Sequence, residues 1–340
     1  MEPAGGAISP SGLIVEPSSG AFDIIINPNQ DLLNNAPALA AFERAAATWE
    51  SLISDPITVT LDANLASLGT GILGSASSVL LTGGYDTIRN RMVADAFFEA
   101  DDAVVAALPT FAQSNFTTPA GFSTSSSLTA NKAALKAMGF TGLDTSFGAA
   151  DATITFSTNF AFDFDNSDGV GAGLFDFETI ALHEIGHALG FTSTVDTVDS
   201  LSAQNTPGEV TPRVLDLFRF AAGTEPGDAT SFTTATRMLE PGVEATFSDT
   251  VLEGAMSTGR NTGDGQQASH WKDNNLTGLP LIGVMDPTLA PQQVEGLSLL
   301  DLRTLDVIGY DISFVPEPSS LWLALGGLVL CLRRRRGHGC

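Results

Sequence analysis

"DFETIALHEIGHALG", residues 176–190, decides how the rest of the chain is read. Ile180, Ile185 and Leu189 recur at helical spacing and can face a core. Asp176 and Glu178 stand near the positive end and Gly190 supplies a stop, so the stretch predicts a helix. His183 and His187 lie four apart, on one face and about a turn from each other, so both imidazoles can reach one ion. Glu184 points off to the side, where it can hold a water rather than the ion. Zinc lowers the pKa of that water. The carboxylate takes the proton as the water attacks a carbonyl, then passes it to the leaving amine. These residue types suit amide hydrolysis without a covalent intermediate. Gly186 costs about 1 kcal/mol against alanine inside a helix, which points to close packing or a ligand there.

Two histidines leave a zinc site one ligand short. The chain has four histidines, His183, His187, His270 and His338, and the last lies in the C-terminal tail. Both cysteines, Cys331 and Cys340, also lie in the tail, so the body has no disulfide and no thiolate ligand. The residues leave three possibilities. Asp196 or Asp199 could supply an oxygen just after the helix. His270, in "QQASHWKDNN" (266–275), could arrive from a distance. Or the site could be defective.

The pattern HExxHxxG, followed later by a methionine in a turn, resembles the metzincin metalloproteases. Their usual third histidine falls three residues beyond the glycine, where this chain has Ser193, a poor zinc ligand. The order resembles leishmanolysin, a metzincin whose third histidine is displaced by a long insertion. Here 79 residues separate Gly190 from His270, and Ser269-His270-Trp271 is followed by "LIGVMDPTLAP" (281–291). By that resemblance His270 is the third ligand and Met285 forms a hydrophobic floor beneath the metal without bonding it. The likeness covers 176–193 and 268–309. Lacking cysteines there, the chain cannot share leishmanolysin's disulfides or use a cysteine switch. The resemblance also implies that the strand before the helix, "ATITFSTNF" (152–160), is the sheet edge that holds an extended polypeptide. Taken as residues alone, the same stretch reads equally as a buried strand.

The fold expected is α+β and zincin/metzincin-like: a twisted mixed sheet over an active-site helix, with a smaller C-terminal subdomain. The catalytic domain spans 21–314, divided into 21–190 and 191–314, and loop 191–269 forms much of the cleft wall. Strands are expected at 22–27, 57–63, 212–220 and 243–248, and helices at 36–53, 87–108, 130–139 and 298–309. Residues 65–82 show no clear period, and 109–128 read as a surface loop. "DFDNSDG" (163–169) has the carboxylate density of a Ca2+ loop but not EF-hand spacing, and reads also as a solvated acidic turn.

The formal charge is −24, and without residues 315–340 it is −27. So acidic a surface argues against nucleic acid and anionic membrane as partners of the body. The tail is basic. Pro316-Glu317-Pro318 precedes an apolar run, 321–332, and then Arg333 to Arg336. Twelve residues are short for a spanning helix, which needs about 20. The three elements in order resemble the PEP-CTERM sorting signal of Gram-negative bacteria. That resemblance implies export, processing by an exosortase, transient inner-membrane association through 321–332, and a final place at the envelope or outside the cell. Residues 1–20 read as a flexible leader with no secretory signal, so the true start is expected upstream of Met1. The function expected is an exported zinc metalloendopeptidase acting on polypeptides. The alternative is an inactive or structural zincin-like surface protein sorted by the same tail.

Overall fold

The computed structural model describes residues 6–7, 21–98 and 103–312. The leader other than 6–7 and the sorting tail, with Pro316, Glu317, Pro318 and the run 321–332, lie outside the described residues. The chain is mixed α and β, with several small sheets.

The main sheet has four strands, β1 (Asp23–Pro28), β2 (Thr58–Ala66), β3 (Gly74–Ser78) and β4 (Ala152–Ser157), in the spatial order β1-β2-β4-β3. The first three in that order run parallel, with Ile24 opposite Val59 and Leu61 opposite Ala152. β3 runs antiparallel to β4, with Ala76 opposite Ile154. The sheet's edges are therefore β1 and β3, and the strand expected at the edge, 152–160, is interior. β4 pairs along both its edges, with Ala152, Ile154 and Phe156 buried on one face and Thr153 and Thr155 half-buried on the other. β3 was hidden in the stretch without a period because its sequence, Gly-Ser-Ala-Ser-Ser, is small throughout and does not alternate.

Two helices cross one face of the sheet. α1 (Ala36–Glu50) starts where Asn35 accepts the Ala38 N–H, and buries Phe42, Ala45 and Trp49. α2 (Phe177–Leu189) starts at Asp176, whose carboxylate accepts the Thr179 N–H at 3.0 Å, and ends at Gly190. The Trp49 indole donates to the Leu182 carbonyl at 3.2 Å, locking the two helices together. A second, five-stranded sheet joins four strands that follow α2, 219–221, 236–238, 245–248 and 253–256, to one that precedes it, 115–117. One continuous core takes in Phe22, Phe42 and Ile185 together with Trp271, Met285 and Tyr310, so it spans both sides of residue 190. The Tyr310 hydroxyl donates to the Leu189 carbonyl at 2.8 Å, tying the end of the described chain to the end of α2.

Other expectations change in detail. The helix expected at 87–108 is regular only over Tyr85–Asp95. The Arg89 guanidinium holds the Leu108 carbonyl, which a straight helix would carry about 29 Å away. The strand expected at 212–220 is a 3-10 turn over Val214–Phe218 followed by a short strand. Asp216 causes the turn by reaching back to the Arg213 N–H at 2.8 Å. Within 109–128 the chain forms short strands at Asn115–Thr117 and Ser123–Thr124 and begins a third at Ser127.

Candidate metal centre

α2 carries His183 and His187 on the face it turns away from α1 and toward a cleft of about 820 Å³. His270 comes from a segment with no helix or strand, residues 257–270, that returns to the same cleft. The three Nε2 atoms form a nearly equilateral triangle: 3.1 Å from His183 to His187, 3.1 Å from His187 to His270 and 3.2 Å from His183 to His270. Among the described residues, this is the group of three metal-ligating side chains close enough to hold one ion.

The other ring nitrogens decide what that triangle is. His183 Nδ1 lies 2.7 Å from the Val284 carbonyl, His187 Nδ1 2.8 Å from the Phe191 carbonyl, and His270 Nδ1 3.1 Å from the Gln267 carbonyl. A carbonyl only accepts, so each Nδ1 carries the proton. Burial, with the neighbouring imidazole as the next cause, lowers each pKa to about 3, so the rings are neutral. Each Nε2 then presents a lone pair, and three lone pairs face one another with no donor among them. A cation resolves that arrangement. A tetrahedral ion bound at about 2.0–2.1 Å sets its nitrogens about 3.3–3.4 Å apart, close to the spacing found. The Nδ1–carbonyl bonds are the outer contacts that orient metal-binding imidazoles.

Glu184 is buried beside this triangle without joining it. Burial pushes its pKa up to about 8, against the pull of the Ala76 N–H. Ala76 belongs to the edge strand, so β3 runs directly past the carboxylate. A Cβ on Gly74 would fall 2.6 Å from Glu184 Oε1, so only glycine lets the strand approach this closely. Met285 lies under α2, and a Cβ on Gly186 would fall 2.5 Å from its sulfur. That contact explains the glycine inside the helix.

Asp196 and Asp199 were the alternative third ligands, and neither joins the triangle. Asp196 accepts the Ala268 N–H at 2.6 Å. Asp199 accepts the Asn261 and Thr262 N–H groups, each at 2.7 Å. Both carboxylates are committed to the return segment that carries His270. In the acidic turn 163–169, Asp163 accepts from Asp165 and Gly171 N–H groups, and Asp165 from Ser167. These carboxylates close their own loop, as an acidic turn does. Sequence reasoning missed Asp301, buried at the start of the last helix. It accepts the Trp271 indole N–H at 2.7 Å, the Val284 N–H at 2.9 Å and the Ser298 N–H at 2.7 Å. Ser298 and Asp301 also form a capping box, and that Ser-x-x-Asp spacing was the available signal.

Comparison with known protein families, with characterised proteins and with solved structures gives no match for this chain.

Proposed function

We propose that this chain is a zinc-dependent endopeptidase of the metzincin type, with a site laid out like that of leishmanolysin. The observation that carries the reading is the convergence of three Nε2 lone pairs, from His183, His187 and His270, beside the buried carboxylate of Glu184. Three neutral imidazoles are the donor set that suits catalytic zinc, which supplies a Lewis acid and acidifies water to near neutrality. His183 and His187 hold their side of the site through the rigid spacing of α2. His270 closes it from the other wall of the cleft. A cation at the triangle would favour the ionised Glu184 carboxylate against the burial that raises its pKa, leaving it able to accept a proton and return it to the leaving nitrogen. The outer edge of β3, where the Ala76 N–H meets Glu184, is the edge to which an extended polypeptide adds as a further strand. Met285 fills the space beneath α2 and keeps it apolar.

Export is part of the proposal and rests on the sequence of the tail. Pro316-Glu317-Pro318, the apolar run 321–332 and Arg333 to Arg336 fit processing by an exosortase at the envelope of a Gram-negative bacterium. Among the described residues, no helix is long and apolar enough to cross a membrane.

The test is casein hydrolysis by purified protein, with and without a chelator, beside Glu184→Gln. We expect one zinc per chain in both proteins and a loss of about 10²–10⁴-fold in the variant's rate. If both bind zinc and both are equally inert, the chain is a structural zincin-like protein instead.

A further inference from the structure

His183 and His187 are placed by helix geometry, but His270 is not. Its Nδ1 bond goes to Gln267, on the same irregular segment, and is the longest of the three at 3.1 Å. The ring is aimed only if that backbone is held from outside. We propose that Asp196 is a positioning residue for the metal centre, fixing the backbone next to His270 so that its imidazole faces α2. This rests on the three-histidine metal reading above.

Asp196 lies in the first turn of the helix that follows α2, α3 (Val195–Ala203). Oδ1 accepts the Ala268 N–H at 2.6 Å. Oδ2 accepts the Ser269 N–H at 3.2 Å and also the Ser269 hydroxyl. Ser269 Oγ in turn accepts the Ser193 N–H at 2.8 Å. Ser193 Oγ donates to Asp216 Oδ1 at 2.6 Å, and Asp216 Oδ2 accepts the Thr194 N–H at 3.0 Å. The corner that leaves α2 is thus clamped to the residues just before His270. Behind the segment, the Ser257 N–H donates to the His270 carbonyl at 3.0 Å. Ser193, which stands where a third histidine was sought, serves as a strut for the histidine that replaces it.

Asp199 is the natural comparison. It sits one turn further along α3 and is equally committed to backbone N–H groups, but it grips Asn261 and Thr262. Those residues lie well upstream of the ligand. Losing Asp199 loosens the excursion, whereas losing Asp196 frees the ligand itself.

The test compares Asp196→Ala, Asp196→Asn, Ser269→Ala and Asp199→Ala with the unaltered chain. Three quantities are measured: zinc affinity by competition with a chromophoric chelator, the melting temperature of the metal-free protein, and the visible spectrum of the cobalt-substituted protein. Asp196→Ala is expected to weaken zinc binding about 10–100-fold and to alter the cobalt spectrum. Asp196→Asn and Ser269→Ala each keep part of the clamp and fall between it and the unaltered chain. They carry the test if Asp196→Ala does not fold. Asp199→Ala is expected to lower the melting temperature while leaving zinc affinity and the cobalt spectrum unchanged.

Unchanged affinity in the Asp196 and Ser269 variants overturns the proposal. So does a loss that tracks melting temperature equally in the Asp196 and Asp199 variants. Complete loss of zinc from both Asp196 variants with the fold intact would make Asp196 a ligand, which also overturns it. An unaltered chain that binds no zinc removes the metal reading on which the proposal rests.

Discussion

The two walls of the cleft are built differently. On one side, α2 and β3 take their shape from backbone hydrogen bonds in regular ladders and turns. On the other, residues 257–297 contain only a four-residue helix, Asn274–Thr277, and are held by carboxylates that accept backbone N–H groups. Asp196, Asp199, Asp273, Asp286 and Asp301 all act in this way. A regular element places its side chains by period, so the helix itself sets the spacing of His183 and His187, and the Val284 and Phe191 carbonyls need only turn the rings. An irregular segment places nothing by itself, and each turn of it needs a partner. Part of the chain's acidity is therefore spent inside the fold. Asp199, Asp216, Asp249, Asp286 and Asp301 are buried, so the formal charge overstates how acidic the surface is.

The contrast can be broken most severely at the metal. His270→Ala is expected to weaken zinc binding by more than about 100-fold, beyond the range for outer contacts. Its circular dichroism should stay that of the unaltered protein, because no regular element depends on the ring. Zinc content after dialysis, read with the spectrum, checks this. Next comes the irregular wall. Asp301→Ala orphans the Trp271, Val284 and Ser298 donors, and should cost about 3 kcal/mol or more in urea unfolding, at about 1–3 kcal/mol per buried unpaired group.

The seam between the walls gives a smaller effect. Gly186→Ala drives a methyl into Met285, and overpacking of this kind costs about 1–3 kcal/mol. Combining it with Met285→Ala should cost less than the sum of the two single changes, because the second makes room for the first. Denaturant titrations of the three variants measure that coupling.

The smallest expected effect concerns pH. Asp55 accepts the Asp311 N–H at 2.8 Å and joins the first part of the chain to the last. Burial, with the Asp311 carboxylate as the next cause, raises its pKa from 3.8 to about 7. The fold favours the protonated form, so this stabilisation is complete below about pH 3.8 and is lost as pH rises through about 7. Asp55→Asn should therefore lose less melting temperature than the unaltered chain between pH 5 and pH 8.

What the sequence showed follows the same division. α2 was legible because its apolar period, its acidic start and its glycine stop all agree. His270 was legible for a different reason: the body holds so few histidines that the candidates for a third ligand were few. β3 was illegible because the close approach to Glu184 that gives it a role also requires small residues, and small residues carry no alternation. The strand at 152–160 carried a signal, but edge and interior positions in a sheet differ by what pairs alongside, which no single segment records. The turn at 214–218 looked like a strand because its residues are buried all round, and the Asp216 contact that bends it depends on the rest of the fold. Asp196 and Asp199 read in the sequence as possible oxygen ligands, and their actual partners, backbone N–H groups some 60–70 residues away, leave no trace in residue spacing.

The most direct measurement is a crystal structure of the zinc-loaded protein with anomalous data at the zinc edge. The expected result is one ion bonded at about 2.0–2.1 Å to the Nε2 atoms of His183, His187 and His270, with Asp196 still on the Ala268 and Ser269 N–H groups. An ion bonded instead to a carboxylate oxygen of Asp196 or Asp199, with His270 turned away, would contradict it.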